Sequence, residues 1–408
     1  MKVLHINQSD ISGGAALAAN RLHQGLLAQC VDSRFLVGSA KTSSIRVAVL
    51  PQKYRIEDQI FRFTGRLGFN DIHRLNSFDI PKHRFYKEAD ILNFHNLHTG
   101  YFNYLALPSL TTIQPAVITL HDMWSFTGHC GYSYDCERWK TGCGQCPYPD
   151  SYPPVARDNT YLEWKLKKWV YKHSNLTVVA PSLWLAKQAK QSMLNSFSIH
   201  HIPYGIDTEA YHPLDSNLCR SLLGIPVGKR VLMFGADNVK DARKGTDLLL
   251  KALQSLPESL KAETLLLTIG NGSEAISEGV EMLNLNLGYV SSDRLKSIAY
   301  SAADLFLFPT RADNLPLVLQ ESLACGTPIV SFNIGGVPDL VRPGITGYLA
   351  IPEDTQDLSK GIVQLLEDRK QHEHMGQNCR AIALKEYSLE LQAKQYIELY
   401  RQLLDIKE

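Results

Sequence analysis

The side chains best suited to chemistry stand close together around position 313. Asp313 lies in a loop after an apolar run, and Glu321 follows eight positions later on a predicted helix that begins at Pro316. Carboxylates accept hydrogen bonds from hydroxyl groups, and the free N–H groups at a helix start attract phosphate. The spacing therefore predicts two hydroxyl-binding groups flanking a phosphate site. We expect both carboxylates to be partly accessible to solvent.

A second segment, Ala242–Thr246, supplies positive charge. Arg243 and Lys244 are adjacent, and Gly245 follows them before a predicted helix. Arginine offers a bidentate fork and lysine a point charge, a combination that suits a diphosphate. A solvated basic turn is the alternative interpretation.

The first half of the chain offers two weaker candidates. Gly13 and Gly14 follow the first predicted strand, where they would let the backbone approach a ligand closely. A plain helix-capping loop explains them about as well. His121 and Asp122 end another apolar run, and the histidine could donate to a sugar hydroxyl while the aspartate orients it. A histidine beside a strand end is more often an ordinary polar residue.

These candidates all lie at the ends of predicted strands, in a chain whose length of 408 residues favours two domains. Strands are predicted at Val3–Ile6, Phe35–Val37, Ile91–Phe94, Val117–Leu120, Thr177–Ala180, Ile199–Ile202, Val231–Phe234, Leu265–Ile269, Leu287–Val290, Leu305–Phe308 and Ile329–Phe332. Helices are predicted at Thr246–Leu256, Ser292–Ala302, Leu317–Ala324, Leu358–Leu366 and Leu389–Leu404. This alternation predicts an α/β protein with parallel sheets, which bind ligands beyond the carboxyl ends of their strands.

The second half resembles the donor domain of family 4 glycosyltransferases of the GT-B fold. The resemblance rests on Asp313–Pro338, Arg243–Gly245 and Pro203–Asp207. The family usually has two glutamates eight positions apart, and here Asp313 takes the place of the first. In the first half, the Gly13-Gly14 loop and the His121-Asp122 pair resemble the corresponding loop and the active-site histidine of the family.

The resemblance implies two Rossmann-like, doubly wound domains facing across a cleft. Residues 1–203 would form an acceptor-binding domain, residues 204–388 a donor-binding domain, and residues 389–408 a helix that crosses back to the first. The implied reaction is a retaining transfer from a UDP- or GDP-linked sugar to a saccharide or lipid-linked acceptor. It would serve polysaccharide or glycolipid biosynthesis and need no catalytic metal.

The resemblance also implies roles for individual residues. Glu321 would bind the ribose hydroxyls, and Asp313 the hydroxyls of the donor sugar. Arg243 and Lys244 would neutralise the leaving diphosphate. His121 would contact the sugar near the reacting carbon. The remaining donor contacts would come from backbone groups, at Gly13, Gly14, Asn314, Leu315 and Leu317.

Two departures from the family pattern leave alternatives open. The usual phosphate-binding arginine after the strand-end glycine is absent, because Ala236 and Asp237 follow Gly235, and Arg243 would substitute for it. Tyr204 replaces the usual asparagine before Gly205. The alternatives are a nucleotide-sugar epimerase or hydrolase on the same fold, and an inactive carbohydrate-binding protein.

Four cysteines within seventeen residues form a separate cluster: Cys130, Cys136, Cys143 and Cys146. Without an export signal, such spacing favours a structural zinc ion over reduced free thiols, with disulfides third. We expect the four sulfur atoms to converge on one ion and to shape an acceptor loop.

The charge and hydropathy of the chain limit the classes of partner that it can have. The net charge is +1, which argues against a dedicated nucleic-acid binder, although residues 1–200 carry 22 Lys and Arg against 14 Asp and Glu. We expect a cytoplasmic protein, because its first residues lead directly into a predicted strand and no apolar run reaches the length of a membrane span.

The Lys- and Trp-rich run Tyr161–His173 suits peripheral contact with an anionic membrane at the inner face. An ordinary surface helix is an equally good interpretation.

Overall fold

The computed structural model describes residues 1–51, 56–277, 279 and 281–405, without the side chains of residues 275 and 277, and it divides into two compact units. The first unit comprises Met1–Gly205 and a C-terminal segment that begins at Glu390. The second unit comprises Ile206–Leu389.

Within the described residues, the first unit is built on a seven-stranded sheet whose paired strands are all parallel. Its strands, in chain order, are β1 (Lys2–Ser9), β2 (Asp32–Ser39), β3 (Val47–Val49), β4 (Ile91–Phe94), β5 (Ala116–Thr119), β6 (Thr177–Ala180) and β7 (Ile199–His201). Their order in the sheet is β3-β2-β1-β4-β5-β6-β7. Every residue of β4, β5 and β6 is buried, as expected of strands covered on both faces.

The helices that cover this sheet are α1 (Gly14–Ala28), α2 (Glu57–Arg66), α3 (Arg84–Glu88), α4 (Leu107–Thr111), α5 (Thr160–Lys172) and α6 (Leu183–Lys190). Short 3-10 helices lie at Leu75–Lys82, Tyr104–Ala106, Trp124–Phe126 and Arg138–Lys140.

The last helix of the chain, α16 (Leu389–Asp405), packs on the first unit. Its buried Tyr396 and Tyr400 lie in one apolar cluster with Val3 of the first strand. The Tyr400 hydroxyl accepts a hydrogen bond from Asn93 Nδ2 at 2.8 Å, and the Tyr396 hydroxyl lies 3.0 Å from Thr119 Oγ1. The helix therefore completes the core beside β1, β4 and β5.

The described part of the second unit contains a six-stranded sheet, again with parallel pairing throughout. Its strands are β8 (Arg230–Asn238), β9 (Thr264–Asn271), β10 (Leu283–Asn286), β11 (Leu305–Phe308), β12 (Ile329–Phe332) and β13 (Gly347–Ala350), in the order β10-β9-β8-β11-β12-β13. Its helices are α7 (Ser216–Leu222), α8 (Thr246–Gln254), α9 (Glu258–Glu263), α10 (Glu274–Ser277), α11 (Asp293–Ala302), α12 (Leu317–Ala324), α13 (Val337–Leu340), α14 (Thr355–Glu367) and α15 (Arg369–Glu386). A 3-10 turn spans Ala242–Lys244.

The predicted strand Leu287–Val290 is wrong, because strand β10 lies at Leu283–Asn286. The side chain of Asn286 accepts a hydrogen bond from the backbone N–H of Gly288 at 2.7 Å, and Gly288 adopts a φ of 61°. Such an Asx turn takes the backbone after Asn286 out of the regular strand conformation, so β10 ends before the predicted segment begins.

In both sheets the direction in which successive strands are added reverses beside the first strand. The chain leaves β1 towards β2 and β3 and then returns to β4 on the opposite side of β1. In the second unit it leaves β8 towards β9 and β10 and returns to β11. Doubly wound sheets bind ligands at the carboxyl edge of such switch points, so two candidate positions follow from topology alone. Across the described residues, no helix combines the length and apolarity required to cross a lipid bilayer.

Candidate active site

At the switch point of the second unit, two cations and a carboxylate form one cluster. The turn after β8 carries Arg243 and Lys244, and the loop after β11 carries Asp313. Lys244 Nζ donates to Asp313 Oδ2 at 2.7 Å, and an Arg243 guanidinium nitrogen donates to the same oxygen at 3.0 Å. Arg243 also contacts Asp241 at 3.2 Å. The three residues that sequence analysis assigned to diphosphate and sugar therefore touch one another.

Backbone contacts hold the two loops of this cluster together. The N–H of Arg311 donates to the carbonyl of Arg243 at 2.8 Å, and Thr310 Oγ1 donates to the same carbonyl at 3.0 Å. Gly245 has a φ of 71°, and a Cβ there would lie 1.9 Å from the carbonyl oxygen of Pro309. Only glycine allows this approach, so Gly245 is what lets the basic turn dock against the loop of Asp313.

The charges of the cluster depend on one another. Burial alone would raise the pKa of Asp313, but attraction and hydrogen bonds from Lys244 and Arg243 hold this pKa below its usual value. Burial lowers the pKa of Lys244, and Asp313 partly offsets that effect. The expectation of accessible carboxylates is wrong, since Asp313 is 8% exposed and Glu321 3%. The reason is that both pack against polar partners.

Helix α12 begins beside this cluster. The sequence predicted Pro316 as the first helical residue, but Pro316 occupies the N-cap position, and no described side chain caps the helix. The first-turn amides after Leu317 therefore stand at the same sheet edge as Asp313. Glu321 lies one turn inside the helix, where its Oε2 accepts a hydrogen bond from the Tyr300 hydroxyl at 3.2 Å.

Asn314 and Leu315, the predicted backbone donors, lie between Asp313 and this helix and are both buried. A glycine loop supports the same segment from the other side. Gly335 has a φ of 55°, and a Cβ there would lie 2.1 Å from the carbonyl oxygen of Asp313. The N–H of Gly336 donates to that carbonyl at 3.1 Å.

In the first unit, the predicted glycine loop opens helix α1. Gly13 is the N-cap residue with a φ of 90°, and the described residues provide no capping side chain. A Cβ at Gly13 or Gly14 would meet nothing within 4 Å, and both residues are exposed. Within the described residues, the first turn of α1 therefore has no capping side chain, and it begins after the carboxyl end of β1.

His121 belongs to a line of four buried side chains that we call the histidine chain: His5, His95, His121 and Tyr204. Neighbouring polar atoms lie 2.9 Å apart between His5 Nδ1 and His95 Nε2, and 2.9 Å apart between His95 Nδ1 and His121 Nε2. His121 Nδ1 lies 2.6 Å from the Tyr204 hydroxyl, and the two rings are stacked. Burial lowers the pKa of His121 to about 4 and those of His5 and His95 well below 6.5.

Asp122 pairs with a second histidine that sequence analysis did not name. His98 Nε2 lies 3.1 Å from Asp122 Oδ2, and the N–H of Trp124 donates to Asp122 Oδ1 at 2.8 Å. Burial would raise the pKa of Asp122, but His98 and Trp124 keep it lowered. Asp122 therefore orients His98.

Sequence reasoning missed His5, His95, His98 and Tyr204 as site residues. His95 and His98 directly follow strand β4. A histidine at the carboxyl end of a predicted parallel strand was a usable signal for both. His5 lies inside β1 and gave no signal.

The predicted zinc site is not formed. Among the residues that the structure describes, no group of three or more His, Cys, Asp or Glu side chains is arranged to hold a metal ion. Cys143 Sγ instead accepts a hydrogen bond from the N–H of Gly128 at 3.2 Å, and Cys146 Sγ lies 3.2 Å from His129 Nε2. Burial raises the pKa of Cys130 to about 12 and that of Cys143 to about 11, so both are thiols in the metal-free protein.

The Lys-rich helix α5 divides its basic residues between two faces. Lys167 is buried, where its Nζ donates to the carbonyls of Trp124 and Thr127 at 2.8 and 3.2 Å. Trp169 is 52% exposed and Tyr161 45%. One face of the helix is therefore anchored in the core, and the other presents aromatic residues to solvent.

Two family models match consecutive parts of the chain. "Glycosyltransferase Family 4" matches residues 12–210, and "Glycosyl transferases group 1" matches residues 224–382. The putative colanic acid biosynthesis glycosyl transferase WcaC of Escherichia coli is 27% identical over 81% of this chain and 83% of its own length. Other relatives are matched over about half of their own length.

Two solved structures have the same fold. Sucrose-phosphate synthase from Thermosynechococcus elongatus superposes with a TM-score of 0.71 and 17% identity, covering 100% of both chains. Anabaena Alr3699/HepE in complex with UDP gives a TM-score of 0.69 and 17% identity over 98% of this chain and 100% of that one. The same Anabaena protein has also been solved in complex with UDP-glucose.

The two parallel-sheet units and these likenesses define the class of the protein: it is a glycosyltransferase with the GT-B fold. Within that class, the chain belongs to the family 4 glycosyltransferases, as the sequence resemblance predicted.

Proposed function

We propose that this enzyme transfers a sugar, with retention of configuration, from a UDP- or GDP-linked donor to a hydroxyl group of a saccharide or lipid-linked acceptor. The observation that carries the proposal is the cluster of Arg243, Lys244 and Asp313 at the switch point of the second sheet, next to the start of α12. A pair of cations beside the start of a helix suits a diphosphate, and two nearby carboxylates suit hydroxyl groups.

Each part of the donor then has a partner in the second unit. The diphosphate would lie against Arg243, Lys244 and the first amides of α12. Asp313 Oδ2 already accepts two hydrogen bonds and Oδ1 accepts one from the N–H of Asn314. Because a carboxylate has about four acceptor positions, one would remain for a sugar hydroxyl. Glu321, held by Tyr300, would accept from the ribose hydroxyls.

In the proposed transfer, the acceptor oxygen forms a bond to the anomeric carbon on the face from which the diphosphate leaves. The bond between that carbon and the diphosphate oxygen breaks, and the acceptor proton passes to the departing diphosphate. Arg243 and Lys244 stabilise the negative charge that builds up there, which is the main contribution that preorganised charges make to catalysis. No residue of this scheme needs to form a covalent intermediate.

The first unit would bind the acceptor, with the exposed Gly13-Gly14 loop at the carboxyl edge of its sheet. The complexes of Alr3699/HepE with UDP and UDP-glucose support a uridine nucleotide in a protein of this fold. The name of WcaC supports a role in polysaccharide or glycolipid biosynthesis.

The test is a panel of nucleotide sugars examined by thermal shift and by release of nucleoside diphosphate. A donor at 100 times its Kd should stabilise the native protein by about 2.7 kcal/mol. We expect one UDP- or GDP-sugar to raise the melting temperature and, with an acceptor, to yield nucleoside diphosphate and an α-linked product. Turnover without any acceptor would indicate a hydrolase, and conversion into another nucleotide sugar an epimerase. Failure of every nucleotide sugar and free nucleotide to bind would refute the proposal.

We also propose that helix α5 places the enzyme against an anionic membrane. The exposed face of the helix combines Tyr161, Lys165, Lys168, Trp169 and Lys172. Trp side chains favour the interface, and each lysine near an anionic surface contributes about 1 kcal/mol. Co-sedimentation with phosphatidylglycerol vesicles should fall when Trp169 and Lys168 are both replaced by Ala. Equal sedimentation of the two proteins would exclude this face as the contact.

A further inference from the structure

A histidine and a carboxylate meet just beyond the ends of two adjacent strands in the first sheet. His98 follows β4, Asp122 follows β5, and these two strands pair with each other. His98 Nε2 lies 3.1 Å from Asp122 Oδ2, and His98 is 1% exposed. Doubly wound sheets bind their ligands beyond this edge, so the pair lies where the first unit is expected to receive its substrate.

The contact with Asp122 determines which ring nitrogen of His98 carries the proton. Asp122 is ionised near pH 7, because its interactions with His98 and Trp124 outweigh burial and keep its pKa low. A carboxylate only accepts hydrogen bonds, so His98 donates from Nε2. His98 Nδ1 is buried and has no hydrogen-bond partner among the described residues. Orphaned buried N–H groups are rarer than unused acceptors, so Nδ1 is bare and offers one unused acceptor.

A second carboxylate, that of Asp71, lies close to the same ring. Asp71 is 3% exposed, and its Oδ1 accepts a hydrogen bond from the N–H of Gly100 at 2.6 Å. Burial raises the pKa of Asp71, and attraction to His98 is the largest effect that opposes this rise. Burial and the negative charges of Asp122 and Asp71 together raise the pKa of Tyr152 to about 12. Both carboxylates therefore lie near His98 and near one tyrosine.

Tyr152 brings an exposed aromatic ring to this group. It is 58% exposed, and its ring lies edge-on to that of His98, with 5.6 Å between the centroids. An exposed aromatic ring beside several acceptors suits a sugar. The C–H groups of the sugar ring can pack against the aromatic face while the hydroxyl groups donate to the acceptors.

Neighbouring contacts hold the histidine–aspartate pair in place. The N–H of Trp124 donates to Asp122 Oδ1 at 2.8 Å, and the buried Lys167 Nζ donates to the carbonyl of Trp124 at 2.8 Å. The segment after β4 turns at Thr99 and Gly100, which have φ values of 76° and 77°. A β-branched residue rarely adopts a positive φ, and such conformations are concentrated at binding sites. The pair is therefore oriented before a ligand arrives.

The polar groups of this site define the class of ligand that it can bind. His98 Nδ1 and the carboxylates of Asp71 and Asp122 are acceptors, so the ligand must supply donors. Two carboxylates would repel a phosphate or a uronate. Among the residues that the structure describes, no three His, Cys, Asp or Glu side chains are arranged to hold a metal ion. A neutral sugar residue meets these conditions, because each of its hydroxyl groups supplies one donor.

We propose that the groups around His98 form the acceptor subsite for a neutral sugar residue, one of whose hydroxyl groups donates to His98 Nδ1. Asp71 and Asp122 would accept from neighbouring hydroxyl groups, and Tyr152 would pack against the ring of the sugar. Because Nδ1 is buried, a neighbouring side chain must shift to admit the hydroxyl, and the exposed Tyr152 has room to do so. The inference deepens the proposed function and rests on it. All of these residues belong to the first unit.

The first measurement needs neither a donor nor turnover. Long-range proton–nitrogen correlation NMR on histidine-labelled full-length protein shows which nitrogen of His98 carries the proton, and His98→Gln identifies the signals. We expect a proton on Nε2 and a bare Nδ1 at neutral pH. A proton on Nδ1 would overturn the proposal, because the site would then present a donor where an acceptor is required.

The second measurement titrates the labelled protein with the methyl glycosides of glucose, galactose, mannose and fucose. We expect at least one of them to shift the Nδ1 resonance of His98, whereas glucuronate and glucose 1-phosphate should leave it unchanged. The exposed His173, whose Nδ1 lies 2.8 Å from the carbonyl oxygen of Trp169, is the internal reference and should not shift. No shift at His98 with any glycoside, or an equal shift with the anionic sugars, would overturn the proposal.

The third measurement uses two variants that separate the two functions of the ring. In His98→Gln the amide NH₂ can still donate to Asp122, but the acceptor at Nδ1 is lost. In His98→Asn an amide oxygen remains near the position of Nδ1. The acceptor is the glycoside that shifts His98, and the donor is the nucleotide sugar found in the panel.

Loss of one hydrogen bond to the acceptor should raise its KM about tenfold in His98→Gln, with the KM of the donor unchanged. His98→Asn should raise the acceptor KM less, and the control His173→Gln should change neither KM. A wild-type acceptor KM in folded His98→Gln, or an equal rise in both KM values, would refute the subsite. Absence of turnover in the wild-type protein with every donor would instead count against the proposed function, and the two NMR measurements would stand separately.

Discussion

Replacing Asp313 should lower the stability of the second unit and increase the stabilisation that a bound nucleotide gives it. Asp313→Asn keeps the size of the side chain and removes the charge that faces Lys244 and Arg243. Breaking a buried ion pair costs about 3–5 kcal/mol. The side chains of Lys244 and Arg243 remain 17% and 21% exposed, and Arg243 keeps Asp241 as a partner. We therefore expect a loss at the lower end of that range, about 3 kcal/mol.

A loss of that size is easily measured. A unit of 150–250 residues melts about 2–4 °C lower for each kcal/mol, so the transition of the second unit should fall by roughly 6–12 °C. Asp241→Asn is the matched control, because the Asp241 carboxylate contacts Arg243 at 3.2 Å and is 39% exposed. Its melting temperature should change little, since exposed ion pairs contribute about 0–1 kcal/mol.

The ligand should reverse part of the loss. In the wild-type protein the Asp313 carboxylate and a donor diphosphate both interact with the same two cations. In Asp313→Asn the diphosphate supplies the negative charge that the variant lacks. UDP or GDP should therefore raise the melting temperature more in the variant than in the wild-type protein, although kcat falls about ten- to a hundredfold with the lost sugar contact. Scanning fluorimetry over a nucleotide titration measures both effects.

Two outcomes would refute this reasoning. An unchanged melting temperature without ligand would mean that Asp313 does not compensate the cations. A smaller ligand-induced rise in Asp313→Asn than in the wild-type protein would mean that the diphosphate does not lie against them.

Three further predictions concern Glu321, His121 and Cys130. Glu321→Gln should raise the KM for the donor more than it lowers kcat, because a ribose contact is about equally strong in the ground and transition states. Steady-state kinetics in which kcat falls and KM is unchanged would contradict this prediction. Burial lowers the pKa of His121 to about 4 from 6.5, so the unfolded state takes up its proton first as the pH falls. Stability that is present above pH 6.5 should be lost towards pH 4, by about 3 kcal/mol, and urea unfolding across this range measures it. The Cys130 thiol should be alkylated at pH 8 about a thousandfold more slowly than a free cysteine, because burial raises its pKa. The exposed Cys30 serves as the internal reference. Purified protein that retains stoichiometric zinc would contradict our assignment of neutral thiols.

Strands buried on both faces were the easiest elements to predict. Ile91–Phe94, Thr177–Ala180, Leu305–Phe308 and Ile329–Phe332 have the predicted bounds, because an apolar run of this length has no other stable environment. Strand β13 was missed because it begins with a glycine. A Cβ at Gly347 would lie 1.9 Å from the carbonyl oxygen of Ile329, so close approach to β12 requires the residue that weakens the strand signal.

Helix α15 was missed because few of its residues are buried. Its 18 residues include only three buried ones, Met375, Cys379 and Ala383. A helix with so narrow an apolar stripe shows little periodicity in the sequence, and its position is set by tertiary packing instead.

The candidate site was predictable residue by residue but not as a set of contacts. Arg243, Lys244 and Asp313 were each named from their position at a strand end. That the carboxylate pairs with both cations depends on the docking of two loops almost 70 residues apart. The histidine chain joins elements still further apart, from β1 to the segment after β7, and no local pattern encodes such a line.

The two switch points use different chemistry, and the difference fits the proposed reaction. The second unit places cations at its switch point, where a leaving diphosphate gains negative charge. The first unit places three imidazoles at its own, and burial lowers the pKa of each so that it stays neutral. Neutral imidazoles add no positive charge at the switch point of the first unit, whereas Arg243 and Lys244 concentrate positive charge at that of the second.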